Sequence, residues 1–139
     1  MANENDLNGI RANLKTWLKA FNENDIETLF SLYDPESLYA NPDSPLMKGI
    51  DEIKPWYEEA VPQLEGTLLH KEEAAFVEGG MGFIVGSYFL RLPEGVVPTD
   101  ENTLIGRTCL IYRRDKDGLW KLLFDMDHVP PDVFPSDFV

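Results

Sequence analysis

The sequence predicts an α+β domain, helices first and a mostly antiparallel sheet after them. Up to Gly66 the apolar residues recur at steps of three and four, as on one side of a helix. Beyond Gly66 they fall into long β-type runs separated by turn formers. Helices followed by sequential strands with short turns imply a meander whose one face the helices cover. Size agrees: 139 residues with 43% hydrophobic content and a single cysteine, Cys109, suffice for one domain over residues 1–139 with its own core and no disulfide.

The first helix carries Leu7, Ile10, Leu14, Trp17, Leu18 and Phe21 on one stripe. Asn24 or Asp25 then offers a side-chain oxygen to the exposed amides of a second helix, whose stripe is Ile26, Leu29, Phe30 and Tyr33. Asp34-Pro35 closes it, because the residue before a proline is pushed out of the helical region. A short strand from Ser37 to Ala40 and a turn through Asn41-Pro42-Asp43-Ser44-Pro45 lead to a third helix. Ile50, Ile53, Trp56, Tyr57, Val61 and Leu64 are in phase there, with Pro55 in or near the first turn and Gly66 as the stop. Four strands follow: Thr67 to Val77, Phe83 to Leu92, Thr103 to Arg114 and Leu119 to Val129. The tail from Pro130 to Pro135 is too rich in proline to extend the ladder and should run over the surface or a neighbour.

Charge excludes whole classes of partner. With 25 acidic residues against 12 basic ones, the net charge of −13 repels duplex phosphate and anionic lipid, so neither nucleic acid nor a membrane surface is an expected partner. No apolar run approaches the roughly 18 residues of a membrane span. The first residues, through Asp6, are polar and acidic where a signal peptide is basic and then apolar, which with a lone cysteine points to the cytoplasm.

Gly79-Gly80-Met81-Gly82 lies between two strands and opens no helix, so it reads as a hairpin and not a dinucleotide loop. Asp115-Lys116-Asp117-Gly118 lacks the further ligands of a calcium loop and reads as a second hairpin. His70 and His128 are too isolated to define a metal site, so neither metal nor other cofactor is expected. The last strand is unusual. Alternation puts Trp120, Leu122, Phe124 and Met126 on one face and Leu123, Asp125 and Asp127 on the other, so both faces carry something to explain.

Several stretches resemble a known family: Trp17 through Leu29, Leu38-Tyr39-Ala40-Asn41-Pro42, Lys48 through Ile53, Gly106-Arg107 and Asp117-Gly118-Leu119-Trp120-Lys121. Together they are similar to the nuclear transport factor 2-like superfamily, in its SnoaL-like or ketosteroid-isomerase-like branch, from about Leu7 to Val129. The resemblance implies a cone-shaped barrel, its curved, mostly antiparallel sheet wrapped around three N-terminal helices. It also implies a pocket against the concave face and a homodimer through the outer face. In the registration it suggests, Asp125 and Asp127 point into the pocket with Tyr39, Asn41, Trp17, Trp56, Ile84, Tyr88 and Leu110, and Leu123 shares their face. Trp120, Leu122, Phe124 and Met126 then lie outside.

The same resemblance separates chemistries. The base, helix tyrosine and donor aspartate of ketosteroid isomerases correspond here to Asn41, Trp17 and Leu110, which argues against steroid isomerisation. The tyrosine, asparagine and last-strand aspartate of limonene-type epoxide hydrolases match Tyr39, Asn41 and Asp125. That mechanism's arginine and second aspartate fall at about Gly86 and Tyr88. Two readings stay open. In one, a small apolar or partly polar organic ligand meets acid/base catalysis of an isomerase, cyclase or epoxide-hydrolase-like kind, with Asp125 as general base, Tyr39 and Asn41 orienting an oxygen and Asp127 as a possible proton donor. Trp17, Trp56, Ile84, Tyr88, Leu110 and Leu123 would bind the ligand's apolar body. In the other, the chain is a non-enzymatic ligand-binding or dimeric assembly module, and Asp125 merely satisfies Tyr39 and Asn41. Two aspartates this close in an apolar cavity should hold at least one carboxyl above its ordinary range.

Overall fold

A computed structural model describes residues 2–100 and 102–139. In chain order the elements are α1 (Ala2–Asn22), α2 (Ile26–Ser31), β1 (Tyr33–Ala40), β2 (Met47–Lys48), α3 (Ile50–Ala60), β3 (Thr67–Glu78), β4 (Met81–Arg91), β5 (Ile105–Arg114) and β6 (Trp120–His128). Turns of 3-10 helix lie at Val61–Gln63 and Pro135–Phe138.

Strands β3 to β6 form an antiparallel meander, as long runs joined by short turns dictate. β1 then enters parallel beside β6, and β2 pairs antiparallel with β1, so the order is β2-β1-β6-β5-β4-β3. The helices bury their apolar stripes on one face of this sheet, where Ile10, Leu29, Ile53, Ile84, Tyr112 and Leu122 form the core. Glycine lets α1 come close: a Cβ on Gly9 would sit 2.6 Å from the Trp120 indole. This is the α+β cone that the resemblance implies.

Local chemistry shifts several boundaries. Asp25 caps α2, its carboxylate accepting from the Thr28 amide at 3.2 Å. The helix stops at Ser31, however, and Tyr33 opens a strand that runs through Asp34-Pro35. Proline is tolerated because β1 leaves register here: Tyr33 faces Leu122 while Leu38 faces Phe124. Arg113 grips the buried Asp34 carboxylate with a fork of contacts at 2.8–3.0 Å, and the Ser37 hydroxyl donates to the Leu122 carbonyl at 2.8 Å. α3 ends at Ala60 because Pro62 cannot continue it, leaving a 3-10 turn, and Pro55 sits in the helix interior instead of its first turn. The tail lies against the outer side of the sheet. Arg107 there bridges Glu73 and Asp132, and Phe138 packs 5.8 Å from Phe89.

The correction with the largest consequence is in β6. Ile111 faces Phe124 but Tyr112 faces Leu122, so Leu123 is the extra residue of a β-bulge. One extra residue reverses the alternation on either side of it. Trp120 and Leu122 therefore turn inward with Asp125 and Asp127, and only Phe124 and Met126 keep the outward positions expected of all four. Leu123 is thereby taken off the inner face.

Candidate functional site

A cavity of about 510 Å³ lies between the C-terminal half of α1, α3 and the inner sheet face, closed in part by the loops after β1 and before β5. Its walls are mostly apolar: Trp17, Leu18 and Phe21 from α1, Trp56 and Tyr57 from α3, Leu110 and Leu122 from the sheet. Asp125 stands between Leu110 on β5 and Tyr39 on β1, with only 6% of its surface exposed. Asp127 is the next inward residue, opposite Thr108.

Tyrosines organise the polar groups. The Tyr88 hydroxyl donates to Asp127 Oδ2 at 2.7 Å. Tyr57 lines the cavity with Asp125, and its hydroxyl favours the charged form of that carboxyl. Asn41 Nδ2 donates to the Tyr39 hydroxyl at 3.1 Å, and Trp17 Nε1 donates to the Tyr33 hydroxyl at 3.0 Å. Tyr57 is also the centre of an aromatic cluster, its ring within 5.1–6.4 Å of Trp17, Phe30, Tyr33, Tyr39 and Trp56. Room for these side chains comes from two glycines on the inner face. His70 lies over Gly86 where a side chain would collide with its ring, and a Cβ on Gly106 would come 2.8 Å from the Tyr88 hydroxyl.

Burial sets the protonation states. Loss of water pushes the Asp125 carboxyl up to about 8, the charge of Asp127 adds to the rise, and the Tyr57 hydroxyl opposes it. Asp127 is raised by burial, against the Tyr88 hydrogen bond and the charge of His128. Burial lowers His70, and Glu72 and Glu73 oppose that. Tyr39, Tyr57 and Tyr88 are all raised, first by burial, so they act as neutral donors. Among the described residues two polar atoms at the cavity are buried without a partner, Asp127 Oδ1 and His70 Nε2.

Asp125, Asn41, Tyr39 and Asp127 all line the cavity, as do Trp17, Trp56, Tyr88 and Leu110. Two expected ligand contacts do not. Ile84 is fully buried beneath α1 in the packed core, and Leu123 is displaced by the bulge. Sequence reasoning missed Tyr57 and His70. Tyr57 reads as one more apolar position of a helical stripe, whereas His70 had a signal in the glycine that faces it, visible only once β3 and β4 are paired. Among the described residues no three His, Cys, Asp or Glu side chains are grouped to hold a metal ion, and no helix is long and apolar enough to cross a membrane.

Helices cradled by a curved sheet, with a carboxyl pair on the floor of an apolar cavity, make the cone fold found in nuclear transport factor 2-like structures. Residues 14–123 match the SnoaL-like domain, and the chain belongs to that family. No curated protein matches it in sequence. Among solved structures it is similar to a nuclear transport factor 2-like protein of unknown function from Pseudomonas putida, with 15% identity, 93% of this chain and 89% of that one covered, and a TM-score of 0.76. A ketosteroid isomerase-like protein from Erwinia carotovora shares 18% identity over 88% of this chain and 94% of its own, with a TM-score of 0.73. A protein of the same superfamily from Streptomyces avermitilis, named only provisionally as a dehydratase, shares 18% identity over 89% and 95%, also at 0.73. Identities this low speak for the fold alone.

Proposed function

We propose that this domain binds a small, mostly apolar organic molecule in the cone and transfers protons on it through Asp125 and Asp127. The observation that carries this reading is the carboxyl pair itself, two inward residues apart on one strand at the floor of an apolar cavity. Such a pair holds one proton between its members. Asp125, in the drier position, keeps the proton at neutral pH and acts as donor. Asp127 carries the charge that Tyr88 stabilises and acts as acceptor. This reverses the roles the resemblance implies, where Asp125 is the base. A donor and an acceptor fixed on one wall can protonate a ligand oxygen while removing a neighbouring proton, as an isomerisation or an elimination requires. Tyr39 and Asn41, bonded to each other, would orient that oxygen, and the tryptophans would hold the apolar body.

A binding module without chemistry is the second reading, favoured by the tyrosine partner that Asp127 already has. Carboxyl-carbon NMR between about pH 3 and pH 9 separates them. The acid/base reading expects Asp125 to titrate near 8 and to fall in Asp127→Asn. Two carboxyls that titrate independently in the ordinary aspartate range would remove both donor and acceptor.

The outer sheet face is the second part of the proposal. With Trp120 and Leu122 turned inward, its apolar residues are Phe124, Met126 and Ile111, joined by Met81 and the stacked pair Phe76 and Phe83. Phe76 is 53% exposed and Met126 45%, an apolar surface that a second copy of the chain would cover.

A further inference from the structure

We propose that the ligand is an organic monocation, a protonated amine on an apolar body, whose N–H group pairs with Asp127 between the aromatic walls. The inference rests on the reading of the cavity as a small-molecule site and adds the charge of that molecule.

Among the described residues the lining offers four carboxyl groups, Asp43, Asp100, Asp125 and Asp127, and neither lysine nor arginine. His70 is the basic side chain among them, and burial holds it below its ordinary value, hence neutral at pH 7. The nearby guanidiniums are committed elsewhere: Arg11 to Glu72, Arg107 to Glu73 and Asp132, Arg113 to Asp34 and Glu36. Among the described lining residues no cation pairs with Asp127, and the charge that acts on it comes from outside the lining, from His128 next to it on β6.

Its hydrogen bonding is equally incomplete. Tyr88 serves Oδ2, while Oδ1 is buried and bare. An unmet buried acceptor is costly to fold around, and a carboxylate more so than a neutral group. A ligand hydroxyl would supply a donor and leave the charge uncompensated. An anion would add repulsion. An ammonium N–H supplies donor and counter-charge together, in the stronger, charge-assisted form of the bond. Trp17, Trp56, Tyr39 and Tyr57 wall the same space, and the π systems of such rings attract a cation brought against them. The net charge of −13 favours the approach of cations at long range.

The groups that face Asp127 bear on how pH acts. Asp125 and His128 flank it on β6, Tyr88 reaches it from β4, His70 lines the cavity from β3 and Tyr39 from β1, and Asp43 and Asp100 come from the flanking loops. Near pH 7 the tyrosines and His70 are neutral and Asp125 holds its proton, so one negative charge faces the ligand from the strand.

The test compares benzyldimethylamine, a cation at about pH 7, with isobutylbenzene, its neutral carbon isostere, each titrated into the full chain and followed by the indole N–H shifts of Trp17 and Trp56. The amine is expected to bind at least about tenfold more tightly, equivalent to ~1.4 kcal/mol. Asp127→Asn should bring the two affinities together by weakening the amine. If isobutylbenzene binds wild type as tightly as the amine, the inference fails while the apolar cavity stands. If neither probe moves the indoles, both fall together. A preference that survives Asp127→Asn overturns the assignment to that carboxylate, and the wild-type ratio remains decisive should the variant not fold.

Discussion

The inner face of the sheet is finished in two different ways along its length. Toward the β3–β4 hairpin, Val77 and Ile84 pack in one core with Ile10 of α1, all three at most 4% exposed, while the buried Tyr112 and Leu122 stand between this end and the cavity. Toward the opposite end the same strands present His70, Tyr88, Thr108 and Asp127 to a cavity, and the C-terminal half of α1 hangs over it with Trp17, Leu18 and Phe21. The packed end is apolar and filled. The open end holds buried carboxyls and two polar atoms without partners. Each such group costs stability by itself, and tight apolar packing a few residues away on the same strands is what makes that cost tolerable. Stability and chemistry are thus divided between two halves of one sheet face.

The largest expected effect lies at the packed end. Ile84→Ala should lose about 2–5 kcal/mol, because a fully buried side chain leaves a hole its neighbours cannot close. Trp17→Ala, at a side chain already facing empty space, should lose less in the same urea titration. Equal losses would break the division drawn above.

The second prediction reverses sign. Asp125 stays neutral in the folded chain up to about 8, whereas in the unfolded chain it ionises near 3.8. Between those values the folded state binds the extra proton, so stability from this residue is full at low pH and declines as pH rises through the window. Asp125→Asn should therefore raise stability by several kcal/mol near pH 8 and change it little near pH 4. Thermal melts at the two pH values check this. A destabilised variant at both would mean that the carboxyl supports the fold.

The smallest effect on the fold belongs to the outer face. Phe124→Glu should alter monomer stability by no more than about 0.5 kcal/mol, as an outward substitution does, while converting a dimer to a monomer in sedimentation. A wild-type monomer at micromolar concentration would remove the dimer proposal and leave the comparison of the two inner halves untouched.

Most of the architecture is legible along the chain, since helical stripes and β-runs are local patterns driven by burial. The three helices, the four long strands and the class they define follow from spacing alone, and the resemblance adds the cone and the location of its pocket. The errors cluster where a residue's partner is distant. Tyr33 fits a helical stripe, and its pairing with Leu122 makes it a strand residue instead. Leu123 alternates correctly with Asp125 and Asp127 on a regular strand, and β6 is not regular.

Composition, charge and periodicity by themselves determined an acidic α+β domain, helices first, with two aspartates on one face of its last strand. Those properties belong to single residues and their near neighbours. Only the tertiary structure decided that Trp120 and Leu122 share that face, that Tyr88 partners Asp127, and that Asp127 Oδ1 has no partner among the described residues. A bulge is a mismatch between two strands, and desolvation is a property of everything around a group. Neither is a property of the segment that carries it.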